Sequence, residues 1–161
     1  MAEMTLGAAV GTINAGTNMP TCGIAAGTTV LTLKGAVPVE CISPGDRVIT
    51  RMGARTVTAV EIAVVQNARV IRISEGVLGK DRPEADTTVS PKQPILIRDW
   101  RAKALMGVDQ AVMAAERLVD GDYIRAEVLA EARIVTLRFD GAQVIYAAGL
   151  ELGCEPALTH A

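Results

Sequence analysis

The chain has 161 residues, half of them hydrophobic and 21% charged, with a formal net charge of −2. That length suits one domain with a sizeable core, and the hydrophobic content excludes an intrinsically disordered chain. The 16 lysines and arginines are scattered and the aromatic residues are few (one Trp, two Tyr and one Phe). This composition argues against nucleic-acid binding and against stacking surfaces for bases or sugars.

From residue 28 onward, β-branched residues alternate with turn signals at intervals that are typical of an all-β sandwich or barrel. Pro91 and Pro94 forbid a helix between two short strands and force a turn there. Residues 100–118 have helix-like apolar spacing, broken near Gly107, and Asp140-Gly141 predicts a hairpin turn before residues 144–146. The strands are therefore predicted at 28–33, 37–40, 47–51, 55–65, 68–74, 87–89, 95–97, 133–139 and 144–146.

The three cysteines, Cys22, Cys41 and Cys154, are too few and too widely spaced for a disulfide framework or a zinc site. We expect neither a metal nor a cofactor. Free cysteines are commonly small buried hydrophobes, and Cys41 and Cys154 are interpreted in that way.

The first 21 residues lack the basic and apolar regions of a signal peptide, and no apolar run is long enough to cross a membrane. A cytoplasmic location is the default expectation, and a non-classical secretion route remains open. The same residues are rich in Gly, Thr and Asn. They are predicted to form a flexible arm, a paired edge strand or a segment that is released.

Cys22 heads the β-rich region directly after this leader, where a self-cleaving domain would place its nucleophile. A thiol needs a neighbouring base or an electropositive pocket to react near neutral pH. The single histidine is His160, which is interpreted as a tail residue. The sequence therefore leaves open whether Cys22 is a working nucleophile or the remnant of one.

Three segments carry motifs in a consistent order. The first contains Cys22, Gly27-Thr28, Pro38-Val39-Glu40 and Pro44-Gly45-Asp46-Arg47-Val48. The second spans residues 89–96 and contains Ser90 and Gln93, and the third runs from Thr136 to Glu151. Together they resemble the bacterial branch of the Hint domain family, the Hedgehog/intein fold. The resemblance implies a compact β-horseshoe with a short helical insert at residues 22–158, between a leader (1–21) and a tail (159–161).

For active members the resemblance implies self-processing through a thioester at the Thr21–Cys22 bond. Such members activate that bond with a threonine and a histidine, and the matching positions here are Ser90 and Gln93. A glutamine amide does not titrate, so it cannot replace a histidine in proton transfer. The third segment, residues 140–143, also lacks the histidine that the family often carries there.

Two functions follow from this comparison of motifs. The first is a degenerate Hint domain that serves as a structural or interaction module, with Cys22, Ser90 and Gln93 as a vestigial site. The alternative is slow or triggered autocatalytic cleavage after Thr21. A protein partner is expected at the N-terminal arm or around Trp100, while membranes and nucleic acids are not, and the oligomeric state is left open.

Overall fold

The computed structural model describes residues 13–15 and 19–154, and β-strands are the main regular structure in this part of the chain. One short helix, α1 (Trp100–Met106), and two 3-10 turns (Val39–Cys41 and Ala115–Leu118) interrupt them. The strands are β1 (Ile13–Ala15), β2 (Ile24–Ala25), β3 (Thr29–Thr32), β4 (Gly35–Pro38), β5 (Arg47–Thr50), β6 (Gly53–Thr56), β7 (Ala59–Ile73), β8 (Thr87–Val89), β9 (Pro94–Ile97), β10 (Ala111–Ala114), β11 (Ile124–Arg138), β12 (Gln143–Ala147) and β13 (Leu150–Cys154). The predicted all-β class with a short helical insert is confirmed.

The first sheet is built on two long antiparallel strands, β7 and β11. Their ladder runs from the Ile73–Ile124 pair to the Ala59–Arg138 pair, and the sheet order is β1-β7-β11-β2-β8. Strand β1, from the leader, pairs parallel with β7. The leader thus supplies an edge strand, which was one of the three structures predicted for it.

The second sheet has the order β10-β9-β13-β12-β3-β5-β6, with β4 paired to β3. Aliphatic side chains from both sheets form the main core, and Phe139 is the largest buried side chain. These β-branched and aliphatic residues fit pleated surfaces that face each other, because each strand then buries one side of its alternating pattern.

Two local predictions are corrected by the strand pairing. Residues 55–65 and 68–74 do not form two strands, because the chain leaves β6 after Thr56 and β7 then runs unbroken to Ile73. The Asp140-Gly141 turn does not close a hairpin, since β12 pairs with β13, β3 and β5 rather than with β11. Long-range pairing has overridden the local turn signal here.

The helical insert is shorter than its apolar spacing predicts. Helix α1 begins after Asp99, whose carboxylate accepts the Arg101 N–H, and ends at Gly107 in the left-handed conformation (φ 72°). Beyond it, residues 111–114 pair as strand β10 with β9. Trp100 at the start of the helix is 67% exposed, with the Arg101 guanidinium stacked on its ring at 4.6 Å.

Cys41 is exposed, so its interpretation as a buried hydrophobe is wrong, whereas Cys154 is buried. Cys41 is the last residue of the 3-10 turn that follows β4, and Val39 is the buried residue of that turn. Among the residues described, no helix has the length and apolar character needed to cross a membrane.

Candidate active site

Cys22 lies just before β2, which pairs with β11 on one side and β8 on the other. The residue is only 4% exposed. Its neighbour Gly23 allows the chain to lie this close to β11, because a Cβ at residue 23 would be 2.4 Å from Ile134 Cγ2. No side chain fits at such a distance, so glycine is required at this position.

The peptide unit between Cys22 and Gly23 is held from both sides by side chains. The Thr136 hydroxyl donates to the Cys22 carbonyl at 2.5 Å, and the Gly23 N–H donates to Gln93 Oε1 at 2.8 Å. Both polar groups of one buried peptide unit are thereby satisfied, which fixes the backbone next to the Thr21–Cys22 bond.

Ser90 contacts the chain immediately before Cys22. Its hydroxyl lies 2.5 Å from the Pro20 carbonyl oxygen and 3.2 Å from that of Thr21. A hydroxyl has one proton to donate, and the shorter distance favours Pro20. Ser90 is fully buried, and its N–H donates to the Gly23 carbonyl at 2.9 Å.

The Gln93 side chain bonds to the backbone through both its N–H groups and its oxygen. Besides accepting the Gly23 N–H, it donates through Nε2 to the Pro94 and Gly153 carbonyls, both at 2.8 Å. The residue is 3% exposed, at the end of the turn that brings its own N–H to the Ser90 carbonyl. Gln93 therefore ties the start of β2 to the end of β13.

A second thiol shares the interior of this site. Cys154 and Cys22 both line a cavity of about 10 Å³, which is at or below the space one water molecule needs. Burial raises the pKa of the Cys154 thiol to about 12, with a smaller contribution from Cys22, while Arg138 acts in the opposite direction. Cys154 is therefore a neutral thiol near pH 7.

A buried carboxylate anchors the strand that carries Cys154. Glu151, 3% exposed, accepts from Arg98 at 2.9 Å and Arg82 at 3.2 Å, and Arg51 Nε lies 3.7 Å away. Several partners are needed because an isolated carboxylate loses its hydration on burial. This cluster fixes β13 and, through Gly153, the Gln93 side chain.

The structure brings the predicted residues Cys22, Ser90 and Gln93 together around one short stretch of backbone. Asp46 forms a turn, since its carboxylate accepts the Ser43 N–H at 2.9 Å. Sequence reasoning missed Thr136. The sequence could have indicated it, because Thr136 is a polar residue between the apolar residues Val135 and Leu137 of a predicted strand. All three side chains are buried in the structure.

The domain combines two β-sheets with a buried cysteine just before a short strand, and a turn holds the backbone beside that cysteine. These features define a domain of the Hedgehog/intein class. The model of the Hint domain family matches residues 22–157, and the chain belongs to that family. None of the curated proteins matches the chain.

Solved structures with the same fold include a bacterial intein-like domain from Clostridium thermocellum. That structure has a TM-score of 0.56 and 18% identity, and the match covers 81% of this chain and 96% of that one. The MchDnaB-1 intein has a TM-score of 0.53 and 12% identity, with 82% of this chain and 99% of that one covered. The gp41-1 intein has a TM-score of 0.51 and 13% identity, with 81% and 97% covered.

Proposed function

We propose that this Hint domain keeps the residues before Cys22 attached and acts as a structural or interaction module with a degenerate processing site. The observation that carries the proposal is the complete engagement of the Gln93 amide. Both of its N–H groups donate to backbone carbonyls, and its oxygen accepts from Gly23, one residue beyond the nitrogen that would have to leave.

Cleavage would require a proton at the Cys22 nitrogen as the Thr21–Cys22 bond breaks. An amide that is already bonded at both N–H groups has no proton to deliver, and its pKa would not permit delivery in any case. General acid–base catalysis contributes about 10²–10⁴-fold to such steps. Loss of this contribution favours a persistent peptide bond.

The leader itself supports retention. Residues 13–15 pair with β7 as a parallel edge strand, and the Pro20 carbonyl accepts from the buried Ser90 hydroxyl. A segment that pairs with the sheet covers an edge that would otherwise present unpaired backbone groups. We propose that the leader is a permanent part of the domain, and that partners bind there or at the exposed Trp100.

One observation favours slow cleavage as a second candidate. Ser90 Oγ is within 3.2 Å of the Thr21 carbonyl oxygen, where negative charge develops when a thiol attacks that carbonyl. The Cys22 sulfur would bond to the Thr21 carbonyl carbon, the C–N bond would break, and the thiol proton would end on the freed Cys22 amine. Water would then hydrolyse the thioester to the Thr21 carboxylic acid and restore the thiol.

Intact-mass spectrometry separates these two functions. The full chain is incubated overnight with and without dithiothreitol or hydroxylamine, beside Cys22→Ala. The degenerate module predicts an unchanged mass under every condition. Loss of residues 1–21 that depends on the nucleophile and is absent in Cys22→Ala would establish slow cleavage instead.

A gain-of-function variant sharpens the same test. Ser90→Thr combined with Gln93→His restores the residue types that the family uses, and Cys22→Ala in that background is the matched control. If the missing imidazole is what disables the site, the double variant releases the leader and the wild type does not. A folded double variant that stays intact would show that the defect lies elsewhere in the site.

A further inference from the structure

Cys22 and Cys154, which are far apart in sequence, line the same small cavity in the interior of the domain. The cavity measures about 10 Å³, and Gln93, Thr136 and Leu152 are also among its lining residues. This volume is at or below the space that one water molecule needs. It therefore leaves little room for solvent between the two thiols, both of which are buried.

One side chain limits the distance between the backbone segments that carry these thiols. Gln93 accepts the N–H of Gly23, which follows Cys22, at 2.8 Å. It also donates to the carbonyl of Gly153, which precedes Cys154, at 2.8 Å. The oxygen and nitrogen of one amide group are about 2.3 Å apart, so the Gly23 nitrogen and the Gly153 oxygen are separated by at most about 8 Å. Disulfides join cysteines whose Cα atoms lie within about 7 Å of each other, and the limit set by Gln93 is close to that range.

The two thiols also interact electrostatically. Burial is the main cause of the raised pKa of Cys154, and Cys22 raises this pKa further. The interaction between two ionisable groups falls off with distance, so an effect of this kind requires that the two sulfurs be neighbours. Shared cavity, limited backbone separation and mutual electrostatic effect thus agree in placing Cys22 beside Cys154.

We propose that Cys22 and Cys154 form a reversible disulfide when the protein encounters a peroxide. The peroxide oxidises one thiol to a sulfenic acid and is reduced to water. The second sulfur then attacks the first, the S–O bond breaks and another water leaves, so two thiols and one hydrogen peroxide give one disulfide and two waters. Cys154 also lines the pocket of about 460 Å³, from which a molecule as small as hydrogen peroxide can approach its thiol.

Oxidation then controls which chemistry is open to Cys22. A sulfur held in a disulfide cannot attack the Thr21 carbonyl, so the oxidised chain retains the residues before Cys22, and only the reduced thiol can cleave. The bridge also restricts the unfolded chain, because it closes a loop of about 130 residues. This inference holds whether or not the processing site is degenerate, since it needs only two neighbouring thiols.

Peptide mapping of the full-length protein tests the bridge. The folded chain is treated with hydrogen peroxide, the remaining thiols are alkylated, and the unreduced peptides are identified by mass spectrometry. Cys41 is exposed and lies outside the shared cavity, so in the folded protein we expect the link from Cys22 to Cys154 to exceed the link from Cys22 to Cys41 by at least about tenfold. In urea the preference should reverse to roughly 20-fold in favour of Cys41, because Cys41 is only about 20 positions from Cys22 and a shorter loop closes more often.

Three controls accompany this measurement. Cys41→Ser removes the competing thiol and should leave the link between Cys22 and Cys154 unchanged, whereas Cys154→Ala should abolish it. Dithiothreitol should reverse the oxidation, and the urea midpoint of the Cys41→Ser protein should rise on oxidation and return on reduction. A folded protein that keeps both thiols reduced during prolonged peroxide treatment, or that carries them as separate sulfinic acids, would overturn the proposal. A link that forms in urea alone would also overturn it, because the folded geometry would then not bring the two sulfurs together.

Discussion

The two sides of strand β13 differ sharply, although Cys154 lines the cavities on both. On the Cys22 side the space is about 10 Å³ and Gln93 uses all three of its hydrogen-bonding groups. On the other side the pocket measures about 460 Å³ and Gln143 Oε1 has no donor.

These two glutamines stand in the two segments where the family resemblance expects histidines. In one segment the residue at that position is Gln93, whose amide is built into the backbone network. The other, residues 140–143, leaves an open space lined by small and apolar side chains. The two segments therefore differ in their hydrogen bonding: the Gln93 amide is bonded through both N–H groups and its oxygen, while the Gln143 oxygen has no donor among the described residues.

The largest expected effect concerns the accessibility of the thiols. Cys41 is exposed while Cys154 is buried, and only the thiolate of a cysteine reacts rapidly. Because burial raises the pKa of Cys154 to about 12, its thiolate fraction at pH 8 is about 10⁻⁴, and we expect labelling by a disulfide reagent at least about 10³-fold slower than at Cys41.

Mass spectrometry of each labelled peptide over time measures this ratio, with Cys41→Ser as the control that removes the fast phase. Since the pKa is raised, the Cys154 thiolate fraction grows about tenfold per pH unit up to pH 12, and the rate should follow. Rapid, pH-independent labelling of Cys154 would show that the larger pocket admits reagents to the thiol and that β13 does not separate two environments.

The second prediction tests the contrast between the two glutamines. Gln93→Ala removes three hydrogen bonds, to Gly23, Pro94 and Gly153, and takes the acceptor from the buried Gly23 N–H. We expect a loss of about 3–5 kcal/mol in the free energy of unfolding. Gln143→Ala removes a group with an unsatisfied oxygen, so its cost should stay below about 1 kcal/mol.

Urea denaturation of the two variants beside the wild type measures both values. The test is whether Gln93→Ala lowers the free energy of unfolding more than Gln143→Ala does. Equal losses would mean that the Gln93 network contributes no more than an ordinary glutamine and would remove the structural basis of the proposed degenerate site.

The third prediction concerns the anchor of β13. Glu151→Gln keeps the shape of the side chain and removes the charge that faces Arg51, Arg82 and Arg98. These arginines are partly exposed and can turn toward water, so the cost should be about 2–3 kcal/mol, less than for a fully buried pair. Glu131→Gln at an exposed position of β11 is the matched control.

Thermal unfolding of the two variants measures this cost. The Gln93 region shows whether the loss of the Glu151 charge also affects the backbone near Cys22. If β13 fixes Gln93 through the Gly153 carbonyl, Glu151→Gln should also accelerate hydrogen exchange of the Gly23 amide. An unaffected Gly23 amide in a destabilised variant would show that the two clusters are independent.

Much of the fold could be predicted from local sequence because turn residues and β-branched runs mark most strands correctly. The 87–89 and 95–97 strands flank their proline-bounded turn as expected, with one residue added at Pro94. The pairing could not be predicted. The β12–β13 pairing is local, closed by the turn at Ala148-Gly149. Nothing local indicates that β12 also joins β3 and β5, because those pairings connect residues about 100 positions apart in sequence.

In the candidate site, too, residues could be predicted from the sequence but their contacts could not. The resemblance placed Cys22, Ser90 and Gln93 in two separate segments, and the structure brings them to one stretch of backbone. It could not reveal that Gln93 Nε2 reaches Gly153 or that Thr136 holds the Cys22 carbonyl. The first contact depends on the pairing of β13 with β9 and the second on the register of β11 against β2. A single sequence does not encode either in any short pattern.

The smallest expected effect isolates the contact that sequence reasoning missed. Thr136→Val keeps the shape of the side chain and removes the hydroxyl that donates to the Cys22 carbonyl. The buried carbonyl then lacks this donor, which should cost about 1–2 kcal/mol. Thr56→Val, at an exposed position of the edge strand β6, should change the free energy of unfolding by less than about 0.5 kcal/mol.

Chemical denaturation measures both costs, and hydrogen exchange at Gly23 locates the effect. Because Thr136 and Gln93 hold opposite ends of one peptide unit, their effects should not be additive. In a double-mutant cycle with Gln93→Ala, the loss from the pair should be smaller than the sum of the single losses, since one released end already frees the peptide unit. Strict additivity would show that the two side chains act on the backbone independently. The small size of the cavity beside Cys22 would then come from apolar packing rather than from this pair of hydrogen bonds.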